Sequence, residues 1–244
     1  MVIGPDFVWA HMPKTGGTSV VEMFGLVDNS LDIDAAHDNV LTHDTFAVKE
    51  ARTGIDLSGK QRLLNIRRLP AWIISFANYT RDMSPVPKKD LLCGKVHCVF
   101  PLDDITIVDL SEAMKHHKQY FADDLLKQYI CGRVDHWLRT EHLAKDFISC
   151  VSEFISIAPE QRRQLNKLRL NVQTYDRNIR SWFRTKRSLK RLYDLNPVWA
   201  ELERELYGSL PYETMRERNG VFTVSTSRCD PRTAGSRACS KFVS

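Results

Sequence analysis

One segment narrows the fold before any other feature does. Residues 7–11, Phe-Val-Trp-Ala-His, form a short and almost wholly apolar run, the pattern of a strand buried on both faces. The run passes through Pro13-Lys14-Thr15-Gly16-Gly17 into residues 18–24, whose apolar positions recur at helical spacing, with Gly17 or Thr18 near the N-cap. Strand, glycine-rich loop and helix, in that order, open a parallel α/β unit. Residues 62–67, Arg-Leu-Leu-Asn-Ile-Arg, supply a second core strand. Pro70 then opens a helix carrying Trp72, Ile73, Ile74, Phe76 and Tyr79. A proline at the first helical position loses no hydrogen bond.

The alternation continues along the chain. Residues 25–60 are mostly polar, punctuated by Gly54 and Gly59, and residues 81–104 read as a loop-rich insertion with Pro85, Pro87 and Pro101. Ser111 can cap a helix starting at Glu112, and residues 123–129 are helical in pattern. Residues 135–141 read as a strand, 143–155 as a long amphipathic helix, and Pro159 starts another. Asn196-Pro197 precedes a helix over 198–207 that stops at Gly208. From 215 to 244 the composition is that of a poorly ordered tail. The expected fold is α/β: a P-loop-like parallel sheet with helices on both faces, built as one domain over residues 1–214. The chain's 244 residues suit one large domain with a core of its own. Such sheets bind ligands at the carboxyl ends of their strands.

Composition limits the partners. A net charge of +5 fits an anionic ligand but is too small to argue for nucleic acid. No stretch approaches the roughly 20 apolar residues of a membrane span, and no signal peptide is visible, so the cytoplasm is expected for a complete chain and the Golgi lumen for a fragment of an anchored enzyme. The six cysteines contain no CxxC pair, and no metal site is expected. Residues 177–191 carry seven Lys and Arg and no acidic residue, a surface for an anionic acceptor or simply a solvated helix face.

The loop at 13–19 carries the chemistry. Gly16 and Gly17 let the backbone approach an anion closely. The amides and dipole at the following helix N-terminus favour negative charge. Lys14 adds a full positive charge, and Thr18 and Ser19 add hydroxyls. A Walker loop would place its Lys after the last Gly, whereas Lys14 precedes both glycines, which disfavours a nucleotide triphosphatase.

His11-Met12-Pro13-Lys14-Thr15-Gly16-Gly17-Thr18-Ser19 resembles instead the 5′-phosphosulfate loop of sulfotransferases that use 3′-phosphoadenosine-5′-phosphosulfate (PAPS), in the branch that includes the heparan sulfate 2-O-sulfotransferases. The resemblance implies the sulfotransferase fold and PAPS contacts from Lys14, Thr15, Gly16, Gly17, Thr18 and Ser19. It also implies a 3′-phosphate site from an Arg at the end of a later strand and a Ser eight residues on. Arg67 and Ser75 have that spacing, although Arg-Arg-Leu-Pro replaces the usual Arg-Asp-Pro and leaves Arg67 and Arg68 as competitors. In this reading Lys14 stabilises charge on the leaving phosphate, and His43, in Leu-Thr-His-Asp-Thr-Phe, is the general base, with His11, His37 and Glu22 as rivals. Histidine suits that role because its pKa of about 6.5 leaves it largely neutral at pH 7. The implied acceptor is a hydroxyl of a carbohydrate or glycoconjugate, and no metal is needed. The alternatives are a small-molecule kinase with an unusual P-loop and a catalytically inactive anion-binding module of the same fold.

Overall fold

The computed structural model describes residues 1–28, 30–33, 43–83, 98–99, 106–107, 121–168, 185–218 and 221–224. The chain divides into two compact units. The described residues of the first lie within 1–67 and 127–168, and those of the second within 68–126 and 185–224.

A five-stranded sheet organises the first unit. Its strands are β1 (Val2–Ile3), β2 (Phe7–Ala10), β3 (Asp32–Ile33), β4 (Gln61–Ile66) and β7 (His136–Arg139), in the order β3-β1-β2-β4-β7. The α/β class is as expected, but the sheet is mixed rather than parallel. β2, β4 and β7 run parallel, with Trp9 opposite Leu63 and Asn65 opposite Leu138, whereas β1 is antiparallel to both β2 and β3. The reason is local. Residues 4–6 turn the chain back on itself, Gly4 N–H donating to the Phe7 carbonyl at 2.9 Å. So short a connection can join only antiparallel strands.

Both sheet faces are covered. Phe7, Trp9, Leu63 and Leu138 share a core with Val20 and Phe24 of α1 (Gly17–Val27) and with Phe147 of α5 (Leu143–Val151). Val8, Ala10, Leu64 and Ile66, on the alternate positions, are also fully buried. The Arg62 guanidinium, on that second face, lies 5.2 Å from the Phe46 ring of α2 (Phe46–Thr53). That helix falls in the stretch read as polar. Thr45 accepts from Val48 N–H at its start, and Gly54 closes it at φ 70. β7 ends at Arg139 and passes through a 3₁₀ turn at Thr140–His142 into α5, which stops at Val151 rather than 155. Asp146 fastens this corner by accepting from Arg139 N (3.0 Å), Nε (2.7 Å) and a terminal guanidinium nitrogen (2.8 Å). Pro159 starts α6 (Pro159–Lys167), as its position implies.

The second unit holds α3 (Leu69–Met83), α7 (Lys186–Asp194) and α8 (Pro197–Tyr207). It also holds two antiparallel pairs, β5 (Cys98–Val99) with β6 (Thr106–Ile107) and β8 (Met215–Arg218) with β9 (Val221–Val224). β5 lies in the region read as an insertion, and β8 begins where the composition changes to that of a tail. α4 (Phe121–Tyr129) runs from the second unit into the first. Trp72 of α3 packs against Trp199 of α8 with ring centroids 5.0 Å apart. The helix starting at 112 lies outside the described residues, as does the first half of the basic run; of the second half, Lys186, Arg187 and Lys190 are exposed on α7. Among the described residues no helix is long and apolar enough to cross a membrane.

The α8 N-terminus is capped from another helix. Asp123 of α4 accepts from Val198 N–H at 2.9 Å and Trp199 N–H at 2.8 Å, and Asp123 N–H donates to Asn196. Asp123→Ala is expected to cost about 2 kcal/mol, the upper end for a lost cap, because the carboxylate serves two N–H groups in a buried setting. Urea denaturation followed by circular dichroism reads this directly; a loss below about 0.5 kcal/mol, the low end for a cap, removes Asp123 from that role.

Candidate functional site

The loop after β2 is held in shape by the ends of three parallel strands. Thr15 is fully buried, and its hydroxyl donates to the Met12 carbonyl at 2.6 Å. The Thr15 carbonyl receives Asn65 Nδ2 from β4 (3.0 Å) and Thr140 Oγ1 from the end of β7 (2.7 Å). Asn65 in turn accepts from Trp9 Nε1 at 2.5 Å, and Thr140 Oγ1 also lies 3.0 Å from the Ile66 carbonyl. No motif or spacing in the sequence marks Asn65 or Thr140 as part of the loop. The available signal was Asn65 itself, since an amide inside an apolar strand must find hydrogen-bonding partners.

The backbone conformation of the loop is unusual. Lys14 has φ 63 and is the one non-glycine with positive φ among the described residues; Gly16 has φ 91. A left-handed lysine costs about 1–2 kcal/mol, and such strain persists where surrounding contacts over-determine it. Arg67 provides one of them, a terminal guanidinium nitrogen lying 3.3 Å from the Lys14 carbonyl. Gly16 caps α1, and the first intrahelical bond there is Val20 N–H to the Gly16 carbonyl at 3.2 Å. The amides of the preceding turn have no acceptor within the helix. Thr18 is exposed, and Lys14 and Ser19 are half-buried beside this N-terminus. Gly17 is required for a different reason. A Cβ on it would lie 1.8 Å from His11 Nε2.

Two histidines meet at the loop. The His11 ring stacks on Trp9 at 5.5 Å between centroids and meets the His43 ring at 4.5 Å. His43 Nδ1 lies 3.1 Å from the His11 carbonyl, and Tyr129 of α4 donates its hydroxyl to the His43 carbonyl at 2.6 Å. Enclosure of the His11 ring holds its pKa well below 6.5, helped by His43, the Met1 amino group and Lys14. Burial also lowers the pKa of His43. The contact with the His11 carbonyl opposes that shift, and the Lys14 charge adds to it. Both rings are therefore neutral at pH 7, and His43 lies within electrostatic reach of Lys14.

No family model, curated protein or solved structure matches this chain.

The remaining candidates separate clearly. Arg68 is committed elsewhere, to Glu203 at 2.9 Å and the Ser209 carbonyl at 2.7 Å, with its guanidinium 4.2 Å from the Tyr207 ring. Arg67, not Arg68, contacts the loop. Ser75 is buried on α3 in the second unit. Glu22 is exposed on α1, and His37 lies outside the described residues. The loop therefore has Lys14, Thr18, Ser19 and Arg67 around an α1 N-terminus, with a neutral His43 close by. That set can hold an anionic group and accept a proton near it.

Proposed function

We propose that this chain is a PAPS-dependent sulfotransferase that acts on a hydroxyl of a carbohydrate or glycoconjugate. The observation that carries the reading is the strained Lys14–Gly17 loop at the carboxyl end of β2, opening onto α1 beside a neutral histidine. The residues suit a phosphosulfate: oriented amides, a lysine, two hydroxyls and the Arg67 guanidinium are the donors such an anion needs. PAPS supplies a sulfuryl group already activated on a phosphate. The chain's part is positioning and charge, as in phosphoryl transfer. Lys14 offsets the negative charge of the leaving phosphate. His43 takes the proton of the attacking hydroxyl, for which a neutral imidazole at pH 7 is the competent form. The carbohydrate preference follows from the resemblance of the loop.

The test is calorimetric titration of the full chain with 3′-phosphoadenosine-5′-phosphate and, separately, with ATP–Mg²⁺. Wild type is expected to bind the former with a Kd of about 1 μM, near −8 kcal/mol, and Lys14→Ala to weaken it about tenfold or more. Binding of ATP–Mg²⁺ alone replaces the reading with a kinase. Binding of neither removes the enzyme.

A further inference from the structure

The contacts of His43 decide more than its neutrality. A carbonyl oxygen has no proton to give, so the 3.1 Å contact between His43 Nδ1 and the His11 carbonyl requires the proton on Nδ1. In the neutral ring the lone pair is then on Nε2. The backbone of the same residue is held from the other side by the Tyr129 hydroxyl, 2.6 Å from the His43 carbonyl. Tyr129 is buried on α4, and burial together with the Asp44 charge pushes its pKa above the ordinary phenol value, so it stays a donor. The next residues continue the restraint. Asp44 pairs with Arg52, its Oδ2 lying 2.6 Å from a guanidinium nitrogen, and Thr45 caps α2. His43 thus enters α2 with both its ring and its carbonyl tied.

We infer that His43 is locked as the Nδ1-protonated tautomer, that Nε2 is the basic atom of the site, and that Tyr129 is the positioning residue that sets this arrangement. His11 joins the base to the anion loop, since its carbonyl fixes the His43 ring while its own ring packs against Gly17. Other charged groups act on the pair, Lys14 on both rings and the Met1 amino group on both, and Asp44 on Tyr129. What the freed Nε2 does in a reaction rests on the sulfotransferase reading; the tautomer itself does not.

The tautomer is measured on the ¹⁵N-labelled full chain without ligand, by long-range proton–nitrogen correlation of the imidazole rings at pH 7.5, with His43→Asn identifying the resonances. Wild type is expected to show Nδ1 protonated and Nε2 unprotonated. Tyr129→Phe keeps the ring of residue 129 but loses its hydroxyl, and it is expected to shift His43 toward the Nε2-protonated form that free histidine prefers. A proton on Nε2 in the wild type overturns the inference. So does a Tyr129→Phe spectrum with an unchanged tautomer. The wild-type spectrum decides the tautomer even if the variant unfolds. Because no ligand is present, a failed titration with 3′-phosphoadenosine-5′-phosphate counts against the enzyme reading and leaves the tautomer result standing.

Discussion

Gly17→Ala is expected to destabilise the chain by about 2–3 kcal/mol and, on the proposed sulfotransferase reading, to abolish binding of 3′-phosphoadenosine-5′-phosphate. The added Cβ meets three atoms of the His11 ring, Nε2 at 1.8 Å, Cδ2 at 1.9 Å and Cε1 at 2.5 Å. The ring cannot swing aside freely, because Trp9 lies on one side and His43 on another. Backbone strain contributes nothing, since Gly17 is an ordinary helical residue without positive φ. Alanine even gains up to about 1 kcal/mol in helix propensity over glycine. The clash is therefore the whole cost, and it has a specific remedy. In a His11→Ala background Gly17→Ala is expected to be neutral or slightly stabilising, giving a coupling of about 2 kcal/mol or more in a double-mutant cycle. Gly16→Ala is the control. Its Cβ stays 3.4 Å from the nearest atom, Thr140 Cγ2, but its φ of 91 strains any side chain, so its cost of about 1–2 kcal/mol does not depend on His11. Urea denaturation of the four members of the cycle measures the coupling. Equal costs of Gly17→Ala in both backgrounds would show that His11 is not the reason for the glycine.

This pair shows what the chain order can and cannot reveal. The glycines at 16 and 17 are visible in the sequence as a single signal, yet they serve two purposes. Gly16 provides a left-handed turn, and Gly17 makes room for a histidine. Strand β2 was legible because Phe7–Ala10 is wholly apolar, and β4 because Leu63, Leu64 and Ile66 cluster in a short segment. β1 and β3 were not, since two residues cannot display an alternation, and their antiparallel pairing made the sheet mixed. α2 was hidden by its polar composition, although Thr45 and Gly54 mark both of its ends. Asn65 and Thr140 hold the loop through contacts with segments remote in sequence, which spacing does not encode. The choice between Arg67 and Arg68 was equally closed to the sequence. What the structure adds is that Arg68 pairs with Glu203, a residue 135 positions later in the chain.

Glu203→Ala carries the largest expected loss outside the loop, about 3–5 kcal/mol, the cost of breaking a buried ion pair from one side. The Glu203 side chain is fully buried and that of Arg68 is 25% exposed. Besides Arg68, the carboxylate accepts from Leu69 N–H at 2.9 Å and from the Tyr193 hydroxyl at 2.7 Å. Truncation leaves these donors unpaired around a cavity, at the start of α3. The pH dependence distinguishes a charged role from a merely space-filling one. Burial pushes the Glu203 carboxyl from 4.5 up to about 7, against the pull of Arg68 and the hydrogen bonds. A carboxyl raised in the folded state contributes most below its unfolded pKa, and that contribution is lost as pH rises through the folded value. Wild type is therefore expected to lose stability relative to Glu203→Gln as pH rises from 4.5 to about 7. The lowered pKa values of His11 and His43 act in the opposite direction, their stability being present above about 6.5 and lost as pH falls below it. Taking the difference between wild type and Glu203→Gln cancels them, because both proteins contain both histidines. Urea midpoints measured at half-unit intervals give the slope, and a flat difference across the window would mean that Glu203 is already ionised throughout it and that the ion pair with Arg68 outweighs burial.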